Sequence, residues 1–163
     1  MTFEAVTDLL TQILGPEILL GQDIRATPPT IEVPAQRIAE IGHVLHTHEK
    51  TYFDHLACIT ALDNGPTVGT LEVIYHLYSI PYNSQLALKV CDTRKEAPLP
   101  EVPSVSHIWR SANWHEREAY DLMGIHFTDH PDLRRILMPA DWEGHPLRKD
   151  YAPPKTYHGI DCH

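Results

Sequence analysis

The sequence NWHEREAYDLMG, residues 113–124, predicts a short helix with a defined beginning and end. Asn113 is expected to be the N-cap, because its side chain can accept a bond from a free backbone N–H of the first turn. Glu116, three positions later, is expected to reach back to the cap and complete a capping box. Gly124 follows the last helical residue, where glycine adopts the left-handed conformation without strain.

The charged residues of this helix are interpreted as structural. Arg117 and Asp121 lie four positions apart and are predicted to form a salt bridge on one face. Glu116 and Glu118 are two positions apart, so their carboxylates point in different directions and do not converge on one substrate. No catalytic residue is therefore predicted in the helix.

Residues 125–163 are predicted to form a proline-rich, extended C-terminal arm that follows a domain spanning residues 1–124. Five prolines in the arm leave little room for a sheet ladder or a long helix. The arm also carries side chains of types that are enriched at buried interfaces: Leu133, Ile136, Leu137, Met138, Trp142, Leu147 and Tyr151. We expect the arm to become ordered on a partner protein.

The first hundred residues predict helices that pack on a mainly antiparallel sheet. Apolar residues recur at helical spacing in residues 2–14 and again after Pro34. Runs with strand character are separated by turn sequences and lie at residues 17–24, 52–62, 71–78 and 86–91. Residues 104–123 predict helix in two pieces. The predicted fold class is α+β, a two-layer domain with helices on one face of the sheet.

The composition excludes several classes of function. A formal net charge of -9 argues against non-specific binding of nucleic acid, which requires a basic surface. The longest apolar stretch, residues 71–80, is far shorter than the roughly 20 residues that cross a bilayer. Residues 1–14 lack the basic start of a secretory signal. The chain is expected to be soluble by itself.

The sequence also predicts that this chain holds no redox cofactor. Cys58, Cys91 and Cys162 are far apart and form no C-x-x-C pair, so an iron-sulfur cluster is not expected. Neither a G-x-G-x-x-G sequence nor a phosphate-binding loop is present, so a site for NADH or FMN is not expected.

Two arrangements of histidine are candidates for zinc sites. His115-Glu116 begins the H-E-x-x-H pattern of metalloproteases, but Ala119 occupies the position of the second histidine. A second arrangement, His43, His46 and His48, lacks an evident further ligand, and a solvated helix end is the preferred interpretation.

The helix and the arm together resemble the signature of the C subunit of respiratory complex I, the 30 kDa-type subunit family. The similarity runs through HEREAYDLMGI at residues 115–125, HPDLRRIL at 130–137 and WEGHPLRKDY at 142–151. It covers about forty residues in order and spacing, whereas the N-terminal domain resembles the family only in size and order of elements. Asp129 and Asp141 stand where the family often carries glycine, and aspartate is tolerated at such turns.

The resemblance implies a structural and assembly subunit in the hydrophilic arm of a proton-translocating NADH-quinone oxidoreductase. Such a subunit is not an enzyme by itself, and it supports the quinone-site subunit. FMN, the iron-sulfur clusters and quinone then belong to partner subunits. The implied partners are chiefly the large quinone-site subunit and the neighbouring iron-sulfur subunit, which the family calls the D and B subunits. The implied location is peripheral, on the cytoplasmic face of the bacterial inner membrane, with membrane contact only through partners.

The resemblance assigns ten residues of this chain to the family motif and predicts that they form an interface with partners. It assigns no catalytic, cofactor-binding or metal-binding residue. The ten residues are Glu116, Arg117, Glu118, Tyr120, Asp121, His130, Arg134, Arg135, Trp142 and Arg148.

Two alternatives stay open at the level of sequence. Related subunits occur in ferredoxin-plastoquinone reductases, archaeal coenzyme-linked dehydrogenases and membrane-bound hydrogenases, which share the helix motif and much of the arm. A distant alternative is a stand-alone zinc hydrolase that uses histidine ligands.

Overall fold

The computed structural model of the chain describes residues 2–95 and 98–161; Cys162 lies outside this part. The helices are α1 (Phe3–Leu14), α2 (Ile38–Thr47) and α3 (Ala112–Met123), with short 3-10 turns at Pro16–Ile18 and Ala35–Arg37. The strands are β1 (Gly21–Asp23), β2 (Thr30–Glu32), β3 (His55–Asp63), β4 (Thr70–Ser79), β5 (Ser84–Thr93), β6 (Glu101–Pro103), β7 (His126–Thr128), β8 (Thr156–Tyr157) and β9 (Ile160–Asp161).

A five-stranded sheet forms the centre of the molecule, with the strand order β1-β2-β5-β4-β3. The pairs β3–β4 and β4–β5 are antiparallel, which confirms the predicted run of three consecutive strands. Alternate residues of β4 are buried, from Leu71 through Val73 and Tyr75 to Leu77, because successive side chains of a strand point to opposite faces. The alternation read from the sequence thus identifies the face that packs on the core.

Helices α1 and α2 supply apolar side chains to the same core as the sheet. Leu10 of α1, Ile41 and Leu45 of α2, and Leu88 of β5 are all fully buried in one cluster. Each side chain of this kind contributes roughly 1.5–3 kcal/mol when it is removed from water. The predicted α+β fold, with helices on a mainly antiparallel sheet, is confirmed.

The structure differs from the prediction around the first strands. Residues 17–24 contain the end of a 3-10 turn and the three-residue strand β1 instead of one long strand. Strand β2 was missed because Pro28 and Pro29 immediately precede it, and proline is unfavourable in a sheet interior. Pro29 nevertheless uses its carbonyl oxygen to accept a bond from the N–H of Ala87, and β2 then pairs with β5 in parallel.

The segment between the sheet and α3 is also different. Residues 104–111 form turns, so the prediction of two helical pieces is wrong and the helix is confined to α3. Strand β6, just before these turns, pairs in parallel with β7. Val102 and Phe127 from this small sheet, and Ile125 just before β7, are buried in the main core. The division at residue 124 stays a prediction, and Ile125 and Phe127, just beyond it, belong to the core by their burial.

No helix in the ranges 2–95 and 98–161 has the length and the hydropathy to span a membrane.

Candidate functional site

The predicted capping box at the start of α3 is wrong. The helix begins at Ala112, so Asn113 lies inside it, and Ser111 occupies the cap position without a capping side-chain bond. The Ser111 hydroxyl instead donates to the carbonyl oxygen of Leu56 in β3. The helix therefore begins against the edge strand of the sheet, and tertiary contact replaces the local cap.

Glu116 points into the molecule and does not reach back to the helix start. Its side chain is fully buried and accepts bonds from the Ser104 hydroxyl, at 2.6 Å, and from the Val105 N–H, at 2.7 Å. These donors come from the turn that follows β6. The glutamate thus joins α3 to the segment that precedes it.

The predicted Arg117–Asp121 pair is replaced by two separate contacts. The Arg117 guanidinium lies over the indole ring of Trp114, with its Cζ 5.1 Å from the ring centroid, and its Nε donates to the carbonyl oxygen of Arg134 at 3.3 Å. Asp121 pairs with Arg135 at 2.9 Å. Arg117 and Asp121 of α3 therefore both bond to the arm of the same chain.

Asp121 organises the first part of the arm. Its fully buried carboxylate accepts bonds from three consecutive backbone N–H groups, those of Ile136, Leu137 and Met138, at 3.0, 2.7 and 2.8 Å. Burial raises the pKa of Asp121, but these bonds and the Arg135 guanidinium outweigh that effect and lower the pKa below its usual range. The carboxylate is therefore charged, and it fixes the direction of the chain at residues 136–138.

Arg148 organises the second part of the arm at the other end of α3. Its Nε donates to the carbonyl oxygen of Met123, at 2.8 Å, and one terminal nitrogen donates to the carbonyl oxygens of Gly124 and Lys95. The last carbonyl groups of a helix lack intrahelical donors and carry partial negative charge, so a buried guanidinium satisfies both needs.

Gly124 has the predicted left-handed conformation, with φ 68° and ψ 52°. A Cβ atom at this position would stand 2.5 Å from the imidazole of His145 and 2.8 Å from Arg148. The glycine is therefore required both by its backbone conformation and by the close approach of the arm.

A third attachment, which the sequence did not reveal, lies at the β3–β4 turn. The Asp63 carboxylate accepts from the N–H of Gly65, from Nε of Arg94 and from the N–H of Lys149. Burial raises the pKa of Asp63, while its backbone bonds and Arg94 lower it, with a net decrease. Arg94 also pairs with Asp150. Residue spacing gave no sign of this cluster, since the bond to Lys149 spans 86 positions.

His130 joins the beginning of the arm to α3. Its Nε2 lies 3.1 Å from the carbonyl oxygen of Asn113, and its Nδ1 accepts from the N–H of Asp132 at 3.0 Å. Asp129, just before it, has a φ of 61°. A left-handed residue at this turn agrees with the glycine that the family often carries there, and aspartate adopts that conformation more readily than most residues.

The remaining predicted interface residues are more accessible. Tyr120 is half-buried and packs against the core, and Trp142 donates to the hydroxyl of Tyr151 within the arm. Glu118 is exposed, and Arg134 is exposed although it pairs with Asp132.

The structure thus brings most of the ten predicted residues together as contacts within the chain. Glu116, Arg117, Asp121, His130, Arg135 and Arg148 all bond between α3 and other segments of this chain. Residues of the arm between 130 and 151 contact α3 and the β3–β4 turn of the same chain, and the expectation that the arm becomes ordered on a partner stays a prediction. Their role as a partner interface stays a prediction.

The candidate zinc-binding histidines have other contacts. His46 bonds through Nδ1 with the carbonyl oxygen of Phe53 and packs edge-on against Trp109. Within the part of the chain that the structure describes, no group of three His, Cys, Asp or Glu side chains is arranged to hold a metal ion. The zinc-hydrolase alternative therefore gains no support from the geometry.

The chemistry of this region is that of attachment. Its buried charges are saturated by bonds to fixed partners, whereas a catalytic acid or base must reach a proton on a substrate. Saturated charges of this kind hold one segment of chain in a single position relative to another.

Comparison with known proteins gives the same assignment as the sequence. The family model described as "Respiratory-chain NADH dehydrogenase, 30 Kd subunit" matches residues 31–157. The C subunit of the NADH-quinone oxidoreductase of Chlorobium phaeobacteroides is 43% identical over 96% of this chain and 92% of the relative. The corresponding C subunit of Chloroherpeton thalassium is 45% identical over 74% of this chain, which spans 48% of that relative.

Two further matches extend the comparison. The C/D subunit of the NADH-quinone oxidoreductase of Cronobacter sakazakii is 38% identical over 87% of this chain, and the match covers 24% of that longer protein. A chain in the structure of the membrane-bound sulfane sulfur reductase, an archaeal respiratory membrane complex, has a TM-score of 0.74. That match covers 91% of this chain and 84% of the other at 24% identity, and it shows a shared fold.

The residues matched by the family model include the central sheet from β2 onward, all of α3 and the arm through Tyr157. The chain belongs to the respiratory-chain NADH dehydrogenase 30 kDa subunit family.

Proposed function

We propose that this chain is a structural subunit of a respiratory NADH-quinone oxidoreductase, assembled with other subunits and carrying no redox centre of its own. The observation that carries the proposal is the internal use of the motif charges. Glu116, Asp121 and Arg148 are all buried and bonded within the chain, so the motif builds a rigid α3–arm unit. A rigid unit of this kind suits a subunit whose work is to position its neighbours.

The name of one relative supports the choice of partner. The Cronobacter protein is named as a combined C/D subunit, and this chain matches about a quarter of its length. In that protein, a region similar to this chain is therefore joined in one polypeptide to the region named D. We propose the quinone-site D subunit as the chief partner, with the iron-sulfur B subunit as a neighbour.

The surface available for docking is formed by side chains of α3 and the arm that project outward. Trp114 on α3 is 63% exposed, and Leu137 and Leu147 on the arm are 61% and 56% exposed. Glu118 and Arg134 lie on the same two segments and are also exposed. Exposed tryptophan and leucine beside arginine match the composition of interface centres. We call these five residues the outer surface.

Substitutions on the outer surface test the assembly role. Trp114→Ala and Arg134→Glu are expected to reduce the amount of the chain that co-purifies with the membrane complex at least severalfold, because interface centres depend on a few aromatic and arginine side chains. Lys50→Glu is the matched control, since Lys50 is exposed in the turn after α2, outside α3 and the arm. Native gels of solubilised membranes, probed for this chain, give the measurement.

Circular dichroism of each purified variant shows whether the fold is retained. Arg148 is unsuitable for this test because its charge holds the arm on α3, and its reversal would disturb the fold. Assembly that is unaltered in both outer-surface variants would contradict the docking role. Assembly lost equally in the Lys50 variant would also contradict it.

The absence of a redox centre has its own test. The full chain, purified by itself, is expected to show no visible absorbance and no stoichiometric iron, zinc or flavin. A chromophore or metal that remains at one equivalent per chain would overturn this part of the proposal.

The proposed peripheral location on the cytoplasmic face has a separate test. It predicts that chaotropic salt releases the hydrophilic subunits from washed, inverted membrane vesicles.

The type of assembly is decided by the co-purifying electron-input subunits. The shared fold with a chain of the sulfane sulfur reductase complex keeps a different respiratory membrane complex as the second candidate. NADH-oxidising subunits in the purified complex support the first proposal, whereas ferredoxin-, coenzyme- or hydrogen-dependent subunits support the second.

A further inference from the structure

The carboxyl group of Glu116 is completely shielded from solvent. Its side chain is fully buried between α3, the turn after β6 and the beginning of the arm. Tyr75 of β4 is also fully buried nearby, and burial raises the pKa of its phenol well above the usual range. The Tyr75 hydroxyl has no hydrogen-bond partner among the described residues. The bonds from Ser104 and Val105 compensate only part of the cost of burying a negative charge here.

The imidazole of His130, which lies beside the Glu116 carboxyl group, is not a cation. Its Nε2 lies 3.8 Å from the Glu116 carboxylate, a distance at which a protonated imidazole would form an ion pair. However, its Nδ1 accepts a bond from the N–H of Asp132, so that nitrogen carries no proton. The single ring proton is on Nε2 and is donated to the carbonyl oxygen of Asn113. The hydrogen bonds thus define a neutral tautomer.

The charges around His130 agree with this assignment. Burial lowers the pKa of His130, the bond to Asn113 raises it, Arg117 lowers it and Asp132 raises it, with a net decrease. The Arg117 guanidinium contacts the Trp114 ring and donates to the carbonyl oxygen of Arg134, and the structure shows no ion pair between Arg117 and Glu116 in the described residues. Glu116 is therefore buried without a cationic partner among the described residues.

The neighbouring hydroxyls can accommodate a protonated carboxyl group. Glu116 Oε1 accepts from the N–H of Val105, which leaves Oε2 as the oxygen that faces the Ser104 hydroxyl at 2.6 Å. The Ser104 oxygen also accepts from the N–H of Ser106 and lies 2.8 Å from the Ser106 hydroxyl. The Ser104 oxygen can therefore accept a hydrogen bond from a protonated Glu116 carboxyl group while the Ser104 hydroxyl donates to the Ser106 hydroxyl oxygen.

We propose that Glu116 is a proton-binding site, a carboxylic acid that is neutral in the folded chain at mildly acidic pH and donates its proton in a hydrogen bond to the Ser104 hydroxyl. An isolated buried carboxylate is strongly unfavourable, so proton uptake is the less costly way to bury this side chain. The site goes beyond the structural role proposed for the subunit, because it links the α3–arm unit to pH.

The pKa gives the pH range and the sign of the effect. Burial raises the pKa of Glu116 to about 7, although the bonds from Ser104 and Val105 act in the opposite direction. The folded chain then binds this proton more tightly than the unfolded chain, whose carboxyl group has a pKa near 4.5. The resulting stabilisation is fully present below the unfolded pKa and is lost as pH rises through about 7.

The direct test is a carboxyl-carbon NMR titration of the full chain labelled at glutamate. The Glu116 signal, identified by its absence in Glu116→Gln, is expected to titrate with a midpoint about 2.5 pH units above the unfolded value. A midpoint at the unfolded value would overturn the proposal. Through-bond assignment in the unsubstituted chain decides the question even if the variant does not fold.

The second measurement is the pH dependence of unfolding in urea. For the unsubstituted chain, the Glu116 contribution raises the unfolding equilibrium constant roughly 70-fold between pH 5 and pH 8. Glu116→Gln can donate to Ser104 and accept from Val105 without a charge, so this contribution is expected to disappear. Glu118→Gln removes an exposed carboxylate from the same helix and is the matched control, with the pH profile of the unsubstituted chain. Identical profiles for Glu116→Gln and the unsubstituted chain would overturn the proposal.

Discussion

The two parts of the molecule are held together by different chemistry. In the first, which comprises the sheet with α1 and α2, the contacts are apolar, and Leu10, Ile41 and Leu88 are fully buried among similar side chains. In the second, which comprises α3 and the arm, the buried carboxyl groups of Glu116 and Asp121 and the buried guanidinium of Arg148 bond to backbone groups. The first part is a core, and the second is an attachment.

This difference has consequences for tolerance to substitution. Apolar packing depends on volume and adapts to other apolar side chains of similar size. A buried charge depends on its partners, and the loss of one group leaves the others without hydrogen bonds in a place that water does not freely reach. A destabilising substitution in the core should therefore promote unfolding of the whole chain. A substitution in the attachment should release only the arm from α3.

The largest effect is expected from Leu88→Ala in β5. A cavity at this fully buried position should lower the free energy of unfolding by about 2–5 kcal/mol. It should also reduce the protection of backbone amides from hydrogen exchange throughout the chain. Urea unfolding followed by circular dichroism gives the value. Leu62→Ala, at an exposed position of β3, is the control and should change it by less than about 1 kcal/mol. Equal losses in the two variants would remove the distinction between the core and its surface.

A smaller and local effect is expected from Asp121→Asn. The amide keeps one acceptor oxygen but loses the charge, so Arg135 and part of the three-residue backbone contact lose their partner. The cost should be about 1–3 kcal/mol, and amide exchange should accelerate at residues 136–138. Protection in β4 and β5 should persist; if it fell to the same extent, the arm and the core would be one cooperative unit.

The smallest effect on stability is expected from Arg134→Ala. Its pairing with Asp132 is exposed to water, which screens the attraction, so the free energy of unfolding should change by less than about 1 kcal/mol. Thermal unfolding of the variant gives this number. A larger loss would mean that Arg134 belongs to the attachment and not to the outer surface.

The sequence predicted the core well because its signals are local. Polarity alternates in β4 with the period of a strand, and the apolar residues of α1 recur with the period of a helix. The strand β2 was missed because its pairing with β5 depends on residues more than fifty positions away. The strand preference of residues 30–32 is weaker than the evidence against a strand that Pro28 and Pro29 provide.

For the attachment, the sequence identified the residues but assigned the wrong partners. The rule of three or four positions along a helix paired Arg117 with Asp121 and Glu116 with Asn113. In the structure, the donors to Glu116 lie 11 and 12 positions earlier, and those to Asp121 lie 14 to 17 positions later. Such distances carry no periodic signal, so only the three-dimensional arrangement reveals the pairs.

The contact between Asp63 and Lys149 has a consequence for the order in which the chain folds. Strands β3, β4 and β5 are neighbours in sequence and can pair as soon as they have left the ribosome, whereas Asp63 must wait for a donor 86 positions later. Closing so long a loop costs chain entropy that earlier structure reduces, so this bond should form late. The arm then packs on a sheet that has already formed. Its bond to Asp63 can form only after residue 149 has been synthesised.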